Sequence, residues 1–182
     1  MKKIIISLLC CISFGYSQIH EYEIRIDEFG RILEISLNSY YNKLILDPYG
    51  YISKIESVIS EPGQVLDYIG SDRIKSGTDE TIFRNGFVYK LGNSELSYHW
   101  NGKLKSVDIA RIDYENIKNR NNKIAKIGSL IIDYDMYDRV ENVGSYLIKY
   151  DVNTRKIYRI INFKKSHTEC KIIVINNTNS YR

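Results

Sequence analysis

A short phrase recurs eight times along this chain of 182 residues. Each copy has an apolar or aromatic anchor, a turn-forming residue about four positions later, often a basic residue next, and then two apolar residues three positions apart. The clearest copy is YDMYDRVENV at residues 134–143. Repeats constrain a fold strongly because one unit cannot bury its apolar face alone. The pattern therefore predicts neighbouring units that pack against one another.

The turn position of the repeat carries the strongest structural information. The anchors are Ile26, Leu46, Tyr68, Ile82, Tyr98, Tyr114, Tyr134 and Tyr150. The matching turn positions are Gly30, Gly50, Asp72, Gly86, Gly102, Asn122, Asp138 and Arg155, with extra residues before the position in the copies at 114 and 150. Seven of these eight residues are Gly, Asn or Asp, which tolerate the left-handed backbone region. Because hairpin loops often need a positive φ, each copy predicts a β-hairpin.

The segments between these turns are typical of strands. They are rich in Ile, Val, Tyr and Thr, which suit a pleated surface. By alternation, Leu96, Tyr98 and Trp100 are expected to share one face of a strand. Gly128-Ser129 and Gly144-Ser145 predict tight second turns. No stretch keeps the apolar spacing of an amphipathic helix for three turns.

Eight hairpins would supply up to 16 short strands in one antiparallel meander. Twisted sheets rarely exceed about 10 strands without curling or splitting into two layers. Rolling buries one face of the sheet against itself and reduces its exposed edges. We therefore predict an all-β fold, an antiparallel meander of repeated β-hairpins curled into a barrel-like or rolled sheet.

The repeated phrase resembles the tyrosine–aspartate (YD) repeat of secreted and cell-surface bacterial proteins, whose pattern is roughly Tyr-Asp-x-x-Gly-Arg-Leu. Tyr134-Asp135 followed by Asp138-Arg139-Val140 carries the resemblance best. Residues 26–32 and 46–50 are similar, whereas residues 98–104 lack the Asp. The resemblance covers about residues 22–163.

In that family the hairpins build an extended, curling β-sheet, which in long members forms a shell around a toxic payload. This chain is too short to enclose one. The resemblance therefore implies a β-sheet architecture and an exported, surface-associated life. It implies no catalytic residue.

Residues 1–17 have the pattern of a secretory signal peptide. Lys2 and Lys3 precede an apolar run at residues 4–14, and Gly15 and Ser17 are small residues at the −3 and −1 positions of a cleavage site. The run is shorter than the roughly 20 apolar residues of a membrane span. A buried first strand is the alternative interpretation. We expect cleavage before residue 18, a single β-repeat domain at 18–182, and a secreted or periplasmic chain at the cell surface.

Cleavage would also change the cysteine content and the charge. Cys10 and Cys11 lie inside the apolar run, where the residue before each fits a lipoprotein signal poorly. Their removal leaves Cys170 alone, so no intramolecular disulfide is expected. The net charge falls from +4 to +2 when Lys2 and Lys3 are lost, which gives no electrostatic case for nucleic acid. The mature chain is expected to lack a membrane span.

Three patterns suggest chemistry weakly. His20, third in the predicted mature chain, could bind Cu(II) together with a free amino terminus, although a disordered terminus is the simpler interpretation. His167 and Cys170 have the residue types of a thiol–imidazole pair, and a packed structural cysteine is the alternative. Residues 133–138 hold three aspartates but lack the Gly and distal Glu of a calcium loop. We expect no metal, no cofactor and no catalytic residue.

The recurring aromatic residues are the remaining candidates for binding. Tyr98, Trp100, Tyr134 and Tyr150 are predicted ligand-binding residues, because aromatic rings on an exposed sheet face can stack on sugars or anchor a protein. The alternative is that the tyrosines recur for packing. The sequence thus favours a non-enzymatic exported protein with a structural or adhesive role at the bacterial surface. A glycan- or peptide-binding module, with a surface protein or glycan as partner, is the second hypothesis, and an enzyme or toxin of unrecognised class is the third.

Overall fold

The structure is a computed structural model that describes residues 19, 21–39, 42–57, 65–66, 81–84, 87–91, 94–116, 122–163 and 169–176. Several predicted features lie outside these ranges: the signal peptide at 1–17, His20, the repeat copy with Tyr68 and Asp72, Gly86, and His167.

The described residues form sixteen β-strands and no helix, which confirms the all-β prediction. The strands are β1 (Glu21–Asp27), β2 (Ile32–Asn38), β3 (Asn42–Leu46), β4 (Ile52–Ser57), β5 (Val65–Leu66), β6 (Thr81–Arg84), β7 (Phe87–Leu91) and β8 (Ser94–Tyr98). They continue with β9 (Leu104–Val107), β10 (Ala110–Tyr114), β11 (Ile124–Ile127), β12 (Leu130–Tyr134), β13 (Val140–Val143), β14 (Tyr146–Tyr150), β15 (Ile157–Asn162) and β16 (Glu169–Ile175). In these ranges no helix is long and apolar enough to cross a bilayer.

The strands form two sheets, not the single meander that the sequence predicted. The smaller sheet has the order β16-β1-β2-β3-β4-β5, and the larger sheet runs from β15 to β6 in reverse chain order. Consecutive strands within each sheet pair antiparallel, as predicted. The described strand order leaves both sheets open at two ends and shows no closed barrel. Division into two layers is a recognised solution for a meander of more than about 10 strands.

One pairing departs from the antiparallel pattern. The last strand, β16, pairs with the first strand, β1, in parallel, with a register from Glu21↔Glu169 to Asp27↔Ile175. The two strands are separated by most of the chain, so no local turn signal marks this pair. Parallel strands cannot be joined by a tight hairpin, and β16 carries no copy of the repeat phrase.

Both sheets contribute to one apolar core. Ile24, Ile35 and Leu46 of the smaller sheet are completely buried in the same cluster as Leu104 and Ile124 of the larger sheet. Half of the buried core residues occupy the two apolar positions of the repeat phrase. Burial of each such side chain contributes on the order of 1.5–3 kcal/mol. The repeat therefore gives each sheet an apolar face, and the two faces stabilise each other by packing into one core.

The hairpin turns agree with the prediction. In the six described copies the turn position has positive φ: Gly30 (81°), Gly50 (89°), Gly102 (84°), Asn122 (46°), Asp138 (65°) and Arg155 (59°). The second turns at Gly128 and Gly144 also have positive φ, 57° and 53°. Asp108, with φ 50°, has the same backbone conformation in a second turn that lacks glycine. Arg155 is the exception in residue type but not in conformation.

One strand ends earlier than predicted. Strand β8 ends at Tyr98, and Trp100 lies in the following turn with 98% of its surface exposed. Trp100 therefore does not share a strand face with Leu96, which is buried. The reason is the hairpin itself, since the loop begins directly after the anchor tyrosine and includes His99.

Candidate functional site

The aspartate that follows the anchor builds the turn. Asp27 Oδ1 accepts hydrogen bonds from the backbone N–H groups of Phe29 and Arg31, both at 2.9 Å. Asp47 and Asp135 accept from the residues two and four positions later in the same way. A carboxylate that satisfies two turn amides fixes the loop conformation. These acidic side chains are therefore committed to the backbone.

The anchor tyrosines connect successive hairpins. Each hydroxyl donates a hydrogen bond to the carbonyl oxygen ten residues earlier: Tyr98 to Val88 (2.7 Å), Tyr114 to Leu104 (2.5 Å), Tyr134 to Ile124 (2.8 Å) and Tyr150 to Val140 (2.5 Å). The acceptor is in each case the residue at the first of the two apolar positions in the preceding copy of the phrase. Burial raises the pKa of Tyr114, Tyr134 and Tyr150 well above the usual value of a phenol.

The predicted ligand-binding residues consequently do not form one exposed aromatic face. Tyr98, Tyr134 and Tyr150 are half-buried, pack against the core, and use their hydroxyls within the sheet. Trp100 is exposed and lines a cleft of about 370 Å³ that also includes His99 and Tyr114. The structure therefore places the four residues in separate surroundings.

The turns of the smaller sheet insert between hairpins of the larger sheet. In the turn at residues 27–31, Gly30 O accepts a hydrogen bond from Val140 N–H, and Glu28 O accepts one from Ile157 N–H, both at 2.9 Å. The turn at residues 47–51 repeats the arrangement: Gly50 O accepts from Leu104 N–H at 2.8 Å and Pro48 O accepts from Ile124 N–H at 3.0 Å. These four bonds join the two layers at the ends of their hairpins.

Tyrosine rings of the larger sheet cover the inserted glycines. A Cβ atom on Gly30 would overlap the hydroxyl of Tyr150 and lie 2.6 Å from Tyr150 Cζ. Gly50 has the same relation to Tyr114, with a Cβ 2.7 Å from Cζ. The glycines therefore satisfy two requirements at once, a positive φ and a close approach of another side chain.

In three consecutive copies, the basic residue after the turn has a partner in the next hairpin. Lys103 Nζ lies 2.9 Å from Asn122 O, Lys123 Nζ 3.2 Å from Asp138 O, and Arg139 Nη1 3.5 Å from Arg155 O. Each acceptor is the carbonyl of the positive-φ residue in the next repeat. Lys123 also lies 2.6 Å from Asp138 Oδ2. In these three copies the basic position thus bridges neighbouring turns.

A cleft of about 800 Å³ lies where the turn at residues 27–31 meets the turns at 135–139 and 151–156. Its lining residues are Phe29, Arg31, Tyr137, Arg139, Tyr150, Asp151, Val152 and Arg155. We call this cleft the turn-edge groove. Tyr137 is 63% exposed and Phe29 36% exposed, so aromatic surface is available to a ligand. The groove exists only because the two sheets interlock at this edge.

The arginines of the groove differ in how they are held. Arg139 pairs with Asp135 at 2.6 Å, and its guanidinium lies 4.0 Å from the ring centre of Tyr150. Arg31 binds Asp27 through Nε at 2.7 Å, while 68% of its side chain is exposed. Among the residues that the structure describes, Arg155 makes no side-chain ion pair. Two guanidinium groups are therefore accessible at the rim of the groove.

Asp151 in the lining of the groove and Asp135 in the adjacent turn both accept hydrogen bonds from their own turns. For Asp135, burial acts to raise the pKa, but hydrogen bonds and the charge of Arg139 outweigh it, so the pKa is lowered. Hydrogen bonds from the backbone and the hydroxyl of Thr154 lower the pKa of Asp151. Asp151 Oδ1 accepts three hydrogen bonds, from Asn153 N–H, Thr154 N–H and Thr154 Oγ1. Its Oδ2 has no such partner among the described residues.

Sequence reasoning missed the groove because its walls come from distant parts of the chain. Phe29 and Arg31 belong to the smaller sheet, and Tyr137 and Arg155 to the larger. The one signal in the sequence was Arg155, the residue that breaks the Gly, Asn and Asp pattern. In the described ranges, no three His, Cys, Asp or Glu side chains are grouped as a metal site.

Comparison of the chain with protein-family models, with curated proteins and with solved structures finds no match. The resemblance to the tyrosine–aspartate repeat therefore stays a prediction from the residues of the phrase. What the chain binds must be inferred from the chemistry of its surface.

Proposed function

We propose that this chain is an exported, non-enzymatic β-hairpin-repeat protein of the tyrosine–aspartate type, with a structural or adhesive role at the bacterial cell surface. The observation that carries the proposal is the use of the repeat's polar groups. The aspartate carboxylates hold their own turns, and the tyrosine hydroxyls hold the preceding hairpins. Such groups build a rigid scaffold and are not free to act on a substrate.

The finer architecture belongs to the same proposal. We infer that the two sheets are the two halves of one rolled meander. The parallel pairing of β16 with β1 brings the last described strand back to the first, and the inserted turns join the two layers at one edge. A scaffold joined at several places resists local opening, which suits an exported protein that lacks an internal disulfide.

Export is tested by expressing the full chain in a bacterial host. We expect a surface-accessible product whose amino terminus lies near Gln18, detected by surface proteolysis and mass spectrometry. The matched control is Ser17→Leu, which places a large residue at the −1 position and should block cleavage. A wild-type chain that keeps residues 1–17 and stays inside the cell would refute the proposed localisation.

A second candidate function is a glycan- or peptide-binding module. The observation that favours it is the turn-edge groove, where Phe29 and Tyr137 offer exposed rings beside Arg31 and Arg155. Exposed aromatic residues beside polar groups are typical of binding surfaces. Cells that display the chain should adhere to a glycan-coated surface. Tyr137→Ala should reduce adhesion, and equal adhesion of this variant and the wild type would count against the module.

A further inference from the structure

Arg155 occupies a backbone conformation that its residue type disfavours. Its φ is 59°, and the five other described turn positions hold Gly, Asn or Asp. For a residue with a full side chain the left-handed region costs roughly 1–2 kcal/mol. Such strain is found preferentially where ligands bind. The side chain retained at this cost lines the turn-edge groove.

The accessible charged groups of the groove are the guanidinium groups of Arg31 and Arg155 and the carboxylate of Asp151. Asp27 and Asp135 are bound to turn amides and to the arginines four residues later. Arg31 uses only Nε for Asp27, and among the described residues its two terminal nitrogens have no hydrogen-bond partner. Arg155 adds a whole guanidinium on the same groove. A guanidinium binds a planar carboxylate through two parallel hydrogen bonds.

The rest of the lining suits a sugar ring with free hydroxyls. Tyr137 is 63% exposed and gives a flat apolar face on which a pyranose can stack. Asp151 Oδ2 offers an acceptor for a hydroxyl beside the guanidinium groups. A cleft of about 800 Å³ lies in the size range of small-ligand sites.

We propose that the turn-edge groove binds an acidic saccharide of the uronic-acid type, with its carboxylate on Arg155 and Arg31 and its ring on Tyr137. This inference rests on the second candidate function and names its ligand class. An acidic peptide fits less well. The backbone N–H groups of Phe29 and Tyr137 in the groove are already bound to turn aspartates and cannot pair with a peptide backbone.

The test is calorimetric titration of the full chain with a galacturonic acid trimer. A galactose trimer reports the contribution of the carboxylates, and tetraglutamate reports attraction to charge alone. We expect binding of the galacturonic acid trimer and at least tenfold weaker binding of the other two probes. Equal binding of the neutral trimer would overturn the role of the arginines. Equally tight binding of tetraglutamate would refute the proposal that the ligand is a saccharide. No binding of the galacturonic acid trimer would refute the proposal that the groove is its binding site.

The decisive variant is Arg155→Asn, since asparagine accepts the positive φ better than arginine. We expect a loss of affinity of about 10- to 100-fold, because hydrogen bonds to a charged group are removed, with thermal stability equal to or above that of the wild type. The matched control, Arg159→Asn, changes an exposed arginine of β15 that does not line the groove and should keep full affinity. Unchanged affinity of Arg155→Asn would refute the assignment.

The titration and the export experiment together separate the ligand proposal from the proposed surface role. If the chain is exported but does not bind the galacturonic acid trimer, the proposed surface role stands and the proposed ligand is refuted. If the chain binds the trimer but is not exported, the proposed ligand stands and the proposed surface role is refuted.

Discussion

Replacement of Gly30 by alanine should be far more destabilising than replacement of Gly102, although both glycines have the same backbone conformation. Their φ angles are 81° and 84°, so either alanine incurs the left-handed cost of roughly 1–2 kcal/mol. The surroundings differ. A Cβ on Gly30 would overlap the Tyr150 hydroxyl, whereas a Cβ on Gly102 would lie 3.3 Å from two ring carbons of Phe87.

The additional cost at Gly30 comes from Tyr150. Its ring must move to admit the methyl group, and the hydrogen bond of its hydroxyl to Val140 O is then lost. An unsatisfied buried polar group costs about 1–3 kcal/mol. We therefore expect Gly30→Ala to lower the free energy of unfolding by about 2–5 kcal/mol and Gly102→Ala by about 1–2 kcal/mol.

The assay is urea denaturation of the wild type, the two single variants and a double-mutant cycle with Tyr150→Leu. In the Tyr150→Leu background the phenol ring is absent, so Gly30→Ala should lower the free energy of unfolding only through the left-handed conformation of the alanine. The cycle should therefore give a coupling energy of about 1–3 kcal/mol between the two positions. Equal destabilisation by Gly30→Ala and Gly102→Ala, with no coupling to Tyr150, would refute the interlocking of the two sheets.

Three further outcomes follow from the tyrosines and the cysteine. Tyr134→Phe should lower the free energy of unfolding by about 1–3 kcal/mol, while Tyr158→Phe, which changes a 65% exposed ring, should change it by less than about 0.5 kcal/mol. The pKa values of the Tyr114, Tyr134 and Tyr150 hydroxyls are raised in the folded chain, so the unfolded chain releases these protons at a lower pH. The free energy of unfolding should therefore be constant below about pH 10, the ordinary pKa of tyrosine, and should fall as the pH rises further. A constant free energy of unfolding up to about pH 12 would contradict this. Burial raises the pKa of Cys170 to about 12, so its alkylation by iodoacetamide at pH 8 should be much slower in the folded chain than in urea, and equal rates would show an accessible thiolate.

The local parts of the fold could be predicted from the sequence because they depend on neighbouring residues. Gly30 and Gly50 were identified from residue type and spacing alone, and both close hairpins with positive φ. The turn at Asp108 was missed because it lacks a glycine, and Trp100 was placed in a strand because the alternation was carried two residues too far.

The long-range parts could not be predicted, because no periodicity encodes which turns meet. The pairing of β1 with β16 and the insertion of residues 27–31 between two hairpins join segments that are far apart in the chain. The same is true of the groove. Tyr150 was predicted as a ligand-binding residue and does line the groove, but its bond to Val140 and its cover over Gly30 could not be predicted.

Turns of the smaller sheet are hydrogen-bonded to hairpins of the larger sheet. The most direct measurement is the NMR scalar coupling across a hydrogen bond, from the amide nitrogen of Val140 to the carbonyl carbon of Gly30. A resolved coupling, together with slow hydrogen exchange of the same amide, is the predicted result for a bond of 2.9 Å. No coupling and exchange as fast as that of an exposed loop amide would show that the layers do not interlock.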